Sequence, residues 1–140
     1  MENKLKQIVI NYFETIDSGN FNEDYYAFFS EDIVIDFPKF GSAKGIEGLS
    51  SFGVKMSGYL NNLQHNIEKA NIMVVNNCVI VEGILTGETK SKIKWPDNKI
   101  SFGKFCTVFE FDEKKMKRIS IYADPDFASQ DIERLKLLKL

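Results

Sequence analysis

The apolar positions change period along the chain, and the main change, near residue 64, separates a largely helical part from a sheet-forming part. Over residues 3–18, Leu5, Ile8, Val9, Tyr12, Phe13 and Ile16 fall at helical spacing and predict one amphipathic helix. Asp17-Ser18-Gly19-Asn20 ends it, with Gly19 suited to a left-handed cap. Asn22 can cap a second, short helix carrying Tyr25, Tyr26, Phe28 and Phe29. Ser30-Glu31-Asp32 breaks that helix, and Ile33 to Phe37 reads as a short strand stopped by Pro38. Residues 38–45 form a loop. A third helix runs from Gly45 to about Leu60, weakened by Gly48, Gly53 and Gly58.

From residue 64 the period becomes two. Strands are expected at about 64–75, 78–90, 99–111 and 116–124. Asn76-Asn77, Pro96-Asp97-Asn98 and Asp112 to Lys115 supply the turns, so the strands form an antiparallel meander. The tail from Ser129 returns to helical spacing at Ile132, Leu135 and Leu138. The expected architecture is α+β: three N-terminal helices packed on a curved antiparallel sheet, forming a cone with an internal pocket.

Phe105, Thr107, Phe109 and Phe111 share one sheet face, which can pack on the helices and line that pocket. The opposite face carries Phe102, Cys106, Val108, Ile80 and Ile84 among charged residues. A sheet with one wet face alternates more cleanly. The outer face therefore needs a cover: a sister subunit in a homodimer, or the C-terminal helix.

Composition narrows the picture. The 140 residues suit one domain, 1–140, and 44% hydrophobic content supports a real core. A net charge of −2 gives no basic footprint for nucleic acid. No apolar run has the length of a membrane span, and the first residues lack a signal-peptide core, so a cytoplasmic protein is expected. Cys78 and Cys106 sit in apolar strands without ligand spacing, and with a single histidine no metal or cofactor is expected.

Four segments resemble the SnoaL-like branch of the nuclear transport factor 2 (NTF2) superfamily, which includes polyketide cyclases. They are Tyr12 to Phe21, Phe28 to Val34, Gly45 to Leu49 and Ile119 to Pro125. The resemblance implies a pocket framed by the first helix, the first strand and the last strands. It also implies cofactor-independent isomerase, cyclase or dehydratase chemistry on a small, mostly apolar molecule. The alternative is a non-catalytic ligand-binding or dimerisation module.

The resemblance places Asp124 where the cyclases keep their acid/base carboxylate. An apolar cavity would raise its pKa toward the working range; otherwise Asp124 accepts backbone hydrogen bonds at the strand end. Tyr12 matches the oxyanion-donor tyrosine of the steroid-isomerase relatives, or is a core tyrosine. Those relatives carry an aspartate where this chain has Phe37. Asp36, one residue earlier, points to the opposite face by alternation, which speaks against steroid-isomerase chemistry. His65, the only histidine, could shuttle protons beside a carboxylate, as in a dehydratase branch of the superfamily, or be a polar strand end. Asp124, Tyr12 and His65 are thus the catalytic candidates. Asp36, Phe37, Tyr59, Trp95, Phe109 and Tyr122 are the candidate lining residues.

Overall fold

The structure, a computed structural model, describes residues 1–140. Helix α1 spans Glu2–Ser18 and ends where Gly19 turns left-handed at φ 72°. Leu5, Val9, Tyr12 and Phe13 are its buried stripe. Helix α2 is a single turn, Glu23–Tyr26, and the Asn22 side chain accepts the Tyr25 N–H at its start. Phe28 and Phe29 do not continue it. Phe29 instead opens strand β1, Phe29–Phe37, and β2, Gly41–Lys44, folds back on it. Helix α3, Gly45–Tyr59, follows this hairpin, so the three helices are interleaved with strands and not stacked ahead of them. A fourth, α4, occupies Ile132–Leu138 and buries no residue.

The remaining strands are β3 (Leu60–Gln64), β4 (Asn71–Val75), β5 (Cys78–Ile84), β6 (Thr86–Thr89), β7 (Lys94–Trp95), β8 (Lys104–Asp112) and β9 (Lys115–Ala123). Six of them form a sheet in the order β2-β1-β9-β8-β5-β4, and β3-β6-β7 form a second. The expected purely antiparallel sheet is therefore corrected to a curved mixed one, because β1 runs parallel to β9, pairing Ile35 with Ile119. Nor is 64–75 one strand. Asn66 at φ 49° and a short 3₁₀ turn at Ile67–Lys69 interrupt it. Similarly, 78–90 breaks between β5 and β6, and residues 99–103 are irregular up to Gly103 at φ 65°.

Inside the curve, Phe105, Thr107, Phe109 and Phe111 of β8 and Val79 and Val81 of β5 are buried against α1. Phe109 touches both Tyr12 and Phe13 edge-on. Each such aromatic contributes on the order of 1.5–3 kcal/mol by leaving water. Outside, Met73, Val75, Ile84 and Tyr122 remain exposed. No helix is long and apolar enough to cross a membrane.

Candidate functional site

Above the core, where the sheet curves away from α1 and α3, lies a cavity of about 390 Å³. Phe37, Leu49, Phe52, Leu60, Leu85 and Phe127 are among the residues of its apolar wall. Ionisable groups enter from three elements, Tyr25 from α2 among them. The last two turns of α1 bring Tyr12 and Asp17, and the end of β3 brings His65.

The period of α1 sets this arrangement. Phe13 and Asp17 stand four residues apart and share a helix face. The His65 ring meets both: its centroid lies 4.5 Å from that of Phe13, and its Nδ1 lies 2.5 Å from Asp17 Oδ1. The second carboxylate oxygen, Oδ2, accepts the His65 backbone N–H at 2.8 Å. Gln64 Nε2 donates to the Asp17 carbonyl at 3.2 Å, tying the helix end to the strand end. Just beyond, the left-handed Asn66 donates from Nδ2 to the Ile84 carbonyl at 2.9 Å, which closes the turn. The edge of Phe105 packs on the imidazole with centroids 5.5 Å apart.

These contacts fix the ring and its tautomer. An imidazole donating Nδ1–H to a carboxylate leaves the Nε2 lone pair free. Nε2 has no protein partner and is not sealed from the cavity. His65 can therefore take a proton there as a base and return it as an acid, with Asp17 balancing the imidazolium charge.

Tyr12 is 4% exposed, and its hydroxyl makes no hydrogen bond to another residue and is not sealed from the cavity. Burial first, then the neighbouring Tyr25 and Asp17, pushes its phenol well above its ordinary pKa. Tyr12 thus remains a neutral O–H donor on the wall that carries His65.

Asp124 lies elsewhere. Its Oδ2 accepts the Phe102 N–H at 3.0 Å and its Oδ1 the Asp126 N–H at 3.1 Å, and it does not line the cavity. The backbone-acceptor alternative describes it: Oδ1 holds the turn at Pro125, and Oδ2 ties the end of β9 to the segment that leads into β8. Asp36 accepts from Ser42 Oγ at 2.7 Å on the other face of β1. Phe37 does line the cavity. Tyr59, 47% exposed, lines a neighbouring groove instead. Trp95 and Phe109 are buried behind the wall, Trp95 edge-on to Phe127 at 4.8 Å. Tyr122 points from the outer sheet face.

Asp17 is the residue sequence reasoning missed, having been read only as part of the helix stop. The available signal was its phase: it continues the Val9–Phe13 stripe by one turn, so an acid there faces inward.

No family model matches the chain, and no curated protein matches it by sequence. Solved structures do match. An NTF2-like protein of Burkholderia xenovorans LB400 superposes with a TM-score of 0.74 at 20% identity, covering 94% of this chain and 97% of its own. The chain adopts the NTF2-like fold. A candidate SnoaL-like polyketide cyclase from Jannaschia sp. CCS1 gives a TM-score of 0.74 at 17% identity over 93% of this chain and 94% of its own. A candidate polyketide cyclase from Xanthomonas campestris pv. campestris gives 0.72 at 17% identity over 88% and 92%. At such identities the likeness fixes the NTF2-like fold and leaves chemistry to the site.

Proposed function

We propose that this protein binds a small, mostly apolar carbonyl compound in the Tyr12–Asp17–His65 cavity and moves a proton at the carbon next to the carbonyl. Isomerisation, cyclisation and dehydration all share that step. The SnoaL-like resemblance supports the reading, and one observation carries it: the 2.5 Å Asp17–His65 pair opening into an apolar cavity. His65 Nε2 removes the proton. Asp17 holds the ring and stabilises its charge. The Tyr12 hydroxyl donates to the oxygen as it becomes enolate-like. The carboxylate first assigned to Asp124 is supplied by Asp17, as a positioning partner and not as the base.

Thermal denaturation with a panel of small cyclic ketones and hydroxyketones tests the binding half. A ligand of this class is expected to raise the Tm of the parent protein. Ser57→Trp, which fills the cavity from exposed α3 surface, should abolish that shift. A shift unchanged by Ser57→Trp would place the ligand elsewhere.

We further propose that the outer sheet face pairs with a second copy. Met73, Val75, Ile84 and Tyr122 are exposed there, and Glu110 with its partners Lys117 and Arg118 puts both charge signs on the same face. Sedimentation of the parent protein and of Tyr122→Glu reads this directly, as dimer against monomer.

A further inference from the structure

A second concavity, about 530 Å³, lies on the far side of α3, between that helix, the β1–β2 hairpin and the segment Pro125–Phe127. It is separated from the His65 cavity by one layer of side chains, since Ile35, Phe37, Phe52, Met56 and Phe127 face both. The two spaces have opposite polarity. The His65 cavity carries the acid Asp17. The groove has no acidic lining residue, and its one charged group is Lys55.

Helix α3 builds this polarity. Ser51, Lys55 and Tyr59 stand at intervals of four and form one row along the groove. The Lys55 ammonium, like those of most lysines in the chain, forms no ion pair, so it is free to meet an anion in the groove. The Ser51 hydroxyl has no hydrogen-bond partner, while Ser42 Oγ is occupied by Asp36. Opposite this polar row stand Phe40, half exposed and 4.6 Å from Phe37 between ring centroids, and Phe127. The groove thus offers an aromatic floor, one unpaired cation and one free hydroxyl, in a volume typical of small-ligand sites.

We propose that this groove is a second binding site, for an apolar monoanion such as an alkyl or aryl carboxylate. The hydrocarbon part lies on Phe40, Phe52 and Phe127, and the carboxylate meets the Lys55 ammonium and the Ser51 hydroxyl. The site does not depend on proton transfer at His65. Because the wall is shared, an occupant presses on the side chains that shape the His65 cavity.

Calorimetric titration with octanoate and with the matching primary alcohol tests the proposal. Octanoate is expected to bind about twofold to fivefold more tightly, as suits a solvent-accessible ion pair. Lys55→Glu should erase or reverse the preference. Ser51→Trp, which lines only the groove, should remove octanoate binding; Ser57→Trp, which lines only the His65 cavity, should leave it. Circular dichroism checks that each variant is folded. No octanoate binding, equal affinity for the alcohol, indifference to Lys55→Glu, or loss through Ser57→Trp alone would each overturn the proposal.

Discussion

The ring of Phe13 lies 4.5 Å from that of His65, one helical turn before Asp17 takes the same imidazole by its Nδ1. One face of α1 therefore supplies both the apolar contact that holds the ring and the carboxylate that polarises it. That arrangement makes the end of α1 and the end of β3 a single unit.

The first expectation concerns that unit. Asp17→Ala removes two acceptors from partly buried donors on His65. Urea denaturation is expected to show a loss of about 1.5–3 kcal/mol. A loss below about 0.5 kcal/mol would mean that the pair is loose in solution.

Tyr12→Phe is expected to behave in the opposite way. The hydroxyl has no partner to lose, so stability should change by less than about 0.5 kcal/mol. Affinity for a carbonyl ligand should fall while affinity for its hydrocarbon analogue stays the same. A stability loss of about 1 kcal/mol or more would reveal a hidden hydrogen bond.

Alkaline pH provides a third check. Burial raises the Tyr12 and Tyr25 phenols above their ordinary value of 10.0. Above that pH the unfolded chain releases protons that the folded chain keeps, so the unfolded state gains. Stability should hold below about pH 10 and fall as pH rises past it. Tyr12→Phe should flatten the slope. Urea melts between about pH 9 and pH 11 measure it.

Asp124→Ala separates structure from chemistry. Losing the acceptor of the Phe102 and Asp126 N–H groups should cost about 1–3 kcal/mol, read by urea denaturation. Ligand affinity in the His65 cavity should be unchanged once the variant is shown to be folded.

How much of this was legible beforehand follows from how local each cause is. The alternation of Phe105, Thr107, Phe109 and Phe111 is written in the chain, and the structure buries all four on one face. The Gly19 stop and the Asn22 cap rest on neighbouring residues and were equally readable. The parallel pairing of β1 with β9 joins residues far apart in sequence, which no local period encodes. The break at Asn66 depends on a bond to Ile84 across to another strand. The site divides in the same way. Tyr12 and His65 could be picked out by type and family likeness. The phase of Asp17 puts an acid on the inner face of α1, but its role does not follow from that, because a helix-ending aspartate and a histidine-orienting one look alike until β3 returns beside α1. Asp124 stood in the expected place, but the nearest unpaired donors there are backbone N–H groups, and they take both its oxygens.

The central claim is that His65, held by Asp17, exchanges protons with a carbon acid in the apolar cavity. Deuterium exchange at the carbon next to the carbonyl of a bound cyclic ketone, followed by proton NMR in heavy water, measures this directly. The account expects protein-dependent exchange that falls by about a hundredfold or more in His65→Gln with ligand affinity retained. Exchange that proceeds equally well in His65→Gln, or no exchange in the parent protein with the ketone bound, would contradict it.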